Sequence, residues 1–122
     1  MSINILIVED ECIVALDIKQ RLESMSYNVI DIASSGESAL KVIDNHQIDL
    51  VIMDIRLGGK LSGIDTAIQI RNNFDIPIIY STAYSDFKTH KEIKQTEPYE
   101  HLVKPFDDNQ LQSAINSLKL HI

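Results

Sequence analysis

Cysteine is nearly absent: Cys12 stands alone, so no internal disulfide can form, and the pattern suits a reducing compartment. No apolar run approaches the roughly 20 residues of a membrane-spanning helix. The first residues also lack the basic, apolar and small-residue succession of a secretory signal. A cytoplasmic location is therefore expected, with no membrane partner. Basic residues are scarce too, 11 Lys and Arg against 18 Asp and Glu, for a formal net charge of -7. A domain of that sign is repelled by phosphate backbones, and no nucleic-acid partner is expected. There is no internal repeat, no low-complexity tract and no linker-like stretch.

What remains is ordinary: 122 residues, 44% hydrophobic and 24% charged, the composition of one globular domain expected to occupy 1–122. A chain of this size buries roughly two thirds of the surface its unfolded form exposes, enough for a core without disulfides or structural metal.

Two hydrophobic periods alternate along it. Ile3–Val8, Asp49–Met53 and Ile76–Tyr80 are short, β-branched and almost continuously apolar, as strands buried on both faces must be. Asn28–Ala33 and Tyr99–Val103 alternate more, which suits edge strands. Between them apolar residues recur at three and four: Ala15, Ile18, Leu22 and Met25; Ala39, Leu40 and Ile43; Ile64, Ala67 and Ile68. A last helix begins after Asp107, with Leu111, Ala114, Ile115 and Leu118 on one stripe and Asp107 and Gln110 as a capping-box pair. Ser85–Glu97 is predicted to be a fifth, weakly held helix, anchored only by Phe87 and Ile93. Five strands alternating with five helices predict an α/β fold, a five-stranded parallel sheet doubly wound with helices on both faces and right-handed crossovers. In such sheets ligands bind outside the carboxyl ends of the strands.

Those ends carry chemistry. The first strand ends in Glu9-Asp10, the third in Asp54, the fourth in Ser81-Thr82 and the fifth in Lys104-Pro105. Taken singly, each is an ordinary turn, cap or surface residue; taken together they are a constellation. Two carboxylates ~4 Å apart repel by about 4 kcal/mol at an effective dielectric near 20, so three converging ones require a cation or must protonate. Oxygen ligands with open positions suit Mg²⁺. A carboxylate beside such a metal can act as a nucleophile toward phosphorus, and a Lys and a hydroxyl can hold the phosphoryl oxygens.

The pieces Leu6-Ile7-Val8-Glu9-Asp10-Glu11, Val51-Ile52-Met53-Asp54-Ile55-Arg56-Leu57, Ser62-Gly63-Ile64-Asp65, Ser81-Thr82-Ala83 and Leu102-Val103-Lys104-Pro105-Phe106 come in this order, each at a predicted strand end. Over its full length the chain resembles a response-regulator receiver domain of two-component signalling, which implies the flavodoxin-like, receiver-type sheet. The resemblance implies that Asp54 is the phosphoacceptor, that Asp10 ligates Mg²⁺ directly and Glu9 often through water, and that the Arg56 carbonyl is a further ligand. It implies that Thr82 and Lys104 bind the transferred phosphoryl group and that the Lys104–Pro105 peptide is cis, aiming the lysine inward. The donor would be a sensor histidine kinase or a phosphotransfer protein, with output or kinase modules fused or separate and the oligomeric state open. Such a domain is a signalling switch rather than an enzyme, although it phosphorylates itself from small donors and dephosphorylates itself.

Three features depart from the common pattern of the family. The loop from Asp54 to Gly63 is longer and carries Gly58-Gly59 where Pro is frequent, so it is expected to be more mobile without metal. His101 stands where an aromatic side chain usually reports the state of the site; it is expected either to couple weakly or to stay on the surface. Arg56 and Tyr84 flank the phosphorylation site and are expected to crowd out attacking water and slow the loss of the phosphoryl group. Other classes fit less well. A haloacid-dehalogenase-type phosphatase carries Asp-x-Asp after its first strand, which Glu9-Asp10-Glu11 does not offer. A flavodoxin-like cofactor binder needs phosphate donors where these acids stand, and a pseudo-receiver would not need the intact set. Cys12 is read as a small residue in the first turn of the first helix, and His46, His90 and His121 as solvated.

Overall fold

The structure is a computed structural model that describes residues 3–83, 91–118 and 120. Five parallel strands, β1 (Asn4–Val8), β2 (Asn28–Ala33), β3 (Leu50–Asp54), β4 (Ile78–Thr82) and β5 (Tyr99–Val103), pair in the order β2-β1-β3-β4-β5. The two segments whose apolar residues alternate are thus the edges, and the near-continuous apolar runs are the interior strands. β4 begins two residues later than its apolar run, because Pro77 has no amide to donate; its carbonyl instead accepts from Val51 N (3.1 Å).

Successive residues of the central strands serve opposite cores, as the pleat requires. Leu6, Val8, Val51, Met53, Ile78 and Tyr80 pack with α2 (Gly36–Asn45) and α3 (Gly63–Phe74) through Ala39, Ile43, Ile64, Ala67 and Ile70. Ile5, Ile7, Leu50, Ile52 and Ile79 pack with α1 (Cys12–Ser24) and α4 (Asp108–Ser117) through Ala15, Ile18, Leu22, Leu111, Ala114 and Ile115. Arg21 fastens α1 to the segment after β5: it donates to the Phe106 carbonyl and to Asp108 Oδ1, both at 2.7 Å, with its guanidinium 4.6 Å from the Phe106 ring centroid.

Helix starts follow the capping rules except where the site intervenes. Asp107 and Gln110 form the expected reciprocal box, Ser35 and Ser38 another, and Ser62 accepts from Asp65 N. Glu11, before α1, makes no side-chain cap.

The expected fifth helix is the one element that differs. Residues 85–90 lie outside the described residues, and Lys91–Thr96 is a 3₁₀ helix, so the described elements include four α-helices. Thr96 Oγ1 donates to the Ile93 carbonyl three residues back (2.6 Å), a bond of 3₁₀ spacing. Pro98 then disfavours helical geometry at Glu97. The segment is nonetheless anchored: Ile93 and Thr96 are buried.

Candidate functional site

β1, β3 and β5 end at one side of the sheet, and their last residues place acids and a lysine together. Glu9 follows β1 and is 3% exposed; Asp54 closes β3 and is 7% exposed; Asp10 is exposed at the rim. Carboxylate oxygens of all three lie within 4.8 Å of one another. Lys104 reaches across from the end of edge strand β5, with Nζ 2.8 Å from Glu9 Oε1 and 3.7 Å from Asp54 Oδ2. Its peptide bond to Pro105 is cis, as the sequence resemblance implies. Asp10, Glu11, Asp54, Arg56, Ala83 and Lys104 line a cleft of about 340 Å³.

Backbone groups fix the acids. Arg56 N donates to Asp54 Oδ1 (3.1 Å) and Glu11 N to Glu9 Oε2 (3.2 Å), so Glu9 organises the turn into α1 in place of a cap. Gly63 packs so closely on β3 that a Cβ there would overlap the Asp54 carbonyl oxygen, and Gly63 N donates to the Ile55 carbonyl (2.9 Å). This close approach closes the loop 55–62 directly behind the acid.

The electrostatics are unbalanced. Burial, then the hydrogen bond and charge of Glu9, push the Asp54 carboxyl up to about 7. Burial would raise Glu9 as well, but its hydrogen bonds to Lys104, Asp54 and the Glu11 amide hold it below the usual carboxylate range. Burial would lower Lys104, and its bond to Glu9 with the charges of Asp54, Glu9 and Glu11 outweighs that and raises it. One ammonium faces three carboxylates, and one carboxyl is driven toward its neutral form. That charge deficit, in a cluster of hard oxygen donors, fits a small divalent cation.

The remaining sequence candidates are less central. Thr82 is buried at the end of β4 and does not line the cleft; its carbonyl accepts from Lys104 N (2.9 Å). The Arg56 side chain is exposed at the rim. His101 is exposed on β5 and lines a groove of about 580 Å³ between β5 and α4. Cys12 and His46 are exposed; Tyr84, Phe87, His90 and His121 lie outside the described residues. Two features go beyond what the sequence showed. Ser81, level with Asp54 across β3 and β4, buries a hydroxyl that has no hydrogen-bond partner among the described residues. Glu37, in the first turn of α2, accepts hydrogen bonds from two amides of the loop 55–62, so Gly58-Gly59 do not leave that loop unsupported.

Residues 5–116 match the family model described as response regulator receiver domain. The transcriptional regulatory protein PdtaR of Mycobacterium tuberculosis is 32% identical over 92% of the chain, which spans 54% of that relative, about half its length. The signal receiver domain of a modulated diguanylate cyclase from Desulfovibrio desulfuricans G20 superposes with a TM-score of 0.90 at 30% identity, over 97% of this chain and 94% of that one. The receiver domain of the sensor histidine kinase PA1611 from Pseudomonas aeruginosa PAO1, solved with a magnesium ion coordinated in its active-site cleft, does so at 0.83 and 27% identity, over 97% and 98%.

Proposed function

The chain belongs to the response regulator receiver domain family, and from that premise we propose that Asp54 accepts a phosphoryl group from the phosphohistidine of a sensor histidine kinase or phosphotransfer protein. The observation that carries this reading is the convergence of Glu9, Asp10 and Asp54 within 4.8 Å, with Lys104 beside them. An Asp54 carboxylate oxygen attacks phosphorus, an O–P bond forms, the P–N bond of the donor breaks, and its electron pair returns to the imidazole ring. For this the carboxyl must be ionised, and in the cluster by itself it is held near 7. Glu9, Asp10 and Asp54, with the Arg56 carbonyl, would hold Mg²⁺, which supplies the missing positive charge and screens the incoming phosphoryl oxygens. Lys104, now bonded to Glu9, can turn to a phosphoryl oxygen, and Thr82, buried at the end of β4, would take another once its hydroxyl moves toward the cleft. Small phosphoryl donors would use the same groups, as would the water that later removes the phosphoryl group.

The same reading gives the donor a place to dock. Ile13, 84% exposed in the first turn of α1, borders an apolar groove of about 570 Å³ whose lining includes Lys104, and so opens onto the acid cleft. Phosphorylation adds about -1.5 to -2 charges at pH 7. The structure around Lys104 and β5 must then readjust, which is how the partner-binding surface would switch.

The test is labelling with acetyl phosphate, read by intact mass. The chain should gain one acyl phosphate only with Mg²⁺ present, and Asp54→Asn should gain none. Labelling of Asp54→Asn at another residue, or labelling of the parent without any divalent ion, would overturn the assignment.

A further inference from the structure

Glu37 sits on α2, on none of the segments that carry the acid cluster. Its Oε1 accepts from Lys60 N at 3.0 Å and from Leu61 N at 3.1 Å. These amides belong to the loop that starts with Arg56 N on Asp54 Oδ1 and ends with Gly63 N on the Ile55 carbonyl. Between those ends the loop passes the other acid, since a Cβ built on Gly58 would lie 3.9 Å from Asp10 Oδ2. Gly59 adopts a φ of +97°, a backbone geometry that favours glycine, and there a Cβ would come 3.2 Å from Glu37 Oε2. The loop is therefore a wall with the acids on its inner side and a single carboxylate gripping its outer side.

We infer that Glu37 is a positioning residue of the acid cleft: by holding the Lys60 and Leu61 amides it sets how closely the loop stands to Asp10 and Asp54. The inference rests on the phosphoacceptor reading. Reach, rather than charge, is the property that matters. Glutamate at this site spans to two consecutive amides, and an aspartate would keep the charge and the favourable place in the first helical turn while falling short by one methylene. Backbone amides, its own and then those of Lys60 and Leu61, hold the Glu37 carboxyl below the usual carboxylate range, so it remains an acceptor across the neutral region. Residues that orient ligand-bearing segments commonly control metal affinity although they never touch the metal.

The experiment compares Mg²⁺ affinity, titrated with the metal alone and followed by amide NMR, in the parent, Glu37→Ala, Glu37→Asp and Glu37→Gln. Glu37→Ala and Glu37→Asp should weaken Mg²⁺ binding about tenfold, the lower end of what outer-sphere changes cost, and Glu37→Gln should stay within about twofold of the parent. Exchange protection of the Lys60 and Leu61 amides should fall in the Ala and Asp variants and persist in the Gln variant. If Glu37→Ala fails to fold, the Asp and Gln pair decides alone. Equal Mg²⁺ affinity in all four proteins overturns this inference and leaves the phosphoacceptor reading standing. An Asp variant that matches the parent while Gln does not shows that charge acts instead of reach, and also overturns it. A parent chain that binds no Mg²⁺ overturns the phosphoacceptor reading, and this inference with it.

Discussion

Ile52 and Asp54 stand two residues apart on the same strand, 1% and 7% exposed, yet burial does opposite things to them. In the strand bodies it stabilises: Ile52 joins Ile5, Ile7, Leu50 and Ile79 against α1 and α4, and each such side chain withdrawn from water favours the fold by about 1.5–3 kcal/mol. At the carboxyl end burial opposes charge, and Asp54 is driven up to about 7. The body of the sheet is thus built for stability. Its end carries a deficit that a bound cation would relieve, the usual trade between a working site and a stable one.

The largest effect that would sharpen this contrast comes from removing the deficit. A carboxyl whose pKa is raised on folding supports the fold fully below its unfolded pKa near 4 and loses that support as pH rises through about 7. The rise from 3.8 to about 7 corresponds at most to about 4 kcal/mol, at ~1.4 kcal/mol per unit. In metal-free buffer at pH 8, Asp54→Asn should therefore be more stable than the parent by up to that amount. Denaturant titrations at several pH values should show the gap closing toward pH 4, and added Mg²⁺ should close it at pH 8. A less stable Asn variant at pH 8 would break the comparison, because the end of β3 would then be stabilising like its body.

Ile52→Ala is the counterpart in the strand body. A large-to-small change at a fully buried aliphatic costs about 2–5 kcal/mol, and about 3 kcal/mol is expected here. Unlike the Asp54 effect, this loss should be the same at pH 5 and pH 8 and indifferent to Mg²⁺. A loss that changed with pH or metal would mean that the two regions are energetically coupled.

The same contrast explains what could be read from the chain. The strand bodies were legible because burial on both faces leaves a continuous apolar run, and the edge strands because β2 and β5 alternate. Glu9, Asp10, Asp54 and Lys104 were legible as a group because the sheet topology brings the ends of different strands together, whatever the detailed packing. Glu37 was not, because its partners lie 23 and 24 residues away and nothing local marks a helix-start glutamate as a loop clasp. Nor was the 3₁₀ geometry of Lys91–Thr96: its polar sequence gives little period to read, and its anchor is the buried Thr96, whose partner lies on β4.

That partner supplies the smallest test. Tyr80 is fully buried in the body of β4, its ring edge-on to Tyr99 with centroids 5.7 Å apart. Burial pushes its hydroxyl up to about 12. Thr96 spends its single hydroxyl proton on the Ile93 carbonyl, so in the 2.7 Å contact Tyr80 donates and Thr96 Oγ1 accepts. Here a polar group is tolerated inside a strand body because a neutral partner is buried with it, whereas Asp54 is buried against a second carboxylate, Glu9. Tyr80→Phe removes one neutral hydrogen bond and leaves Thr96 still bonded to Ile93, so it should cost about 1 kcal/mol. Thr96→Val instead strands the tyrosine hydroxyl in the core and should cost about 2 kcal/mol. Chemical denaturation of both variants checks the order. If Tyr80→Phe proves the more damaging, the hydroxyl is not a satisfied guest of the apolar body, and polar groups in the strand bodies would have to be counted with the site.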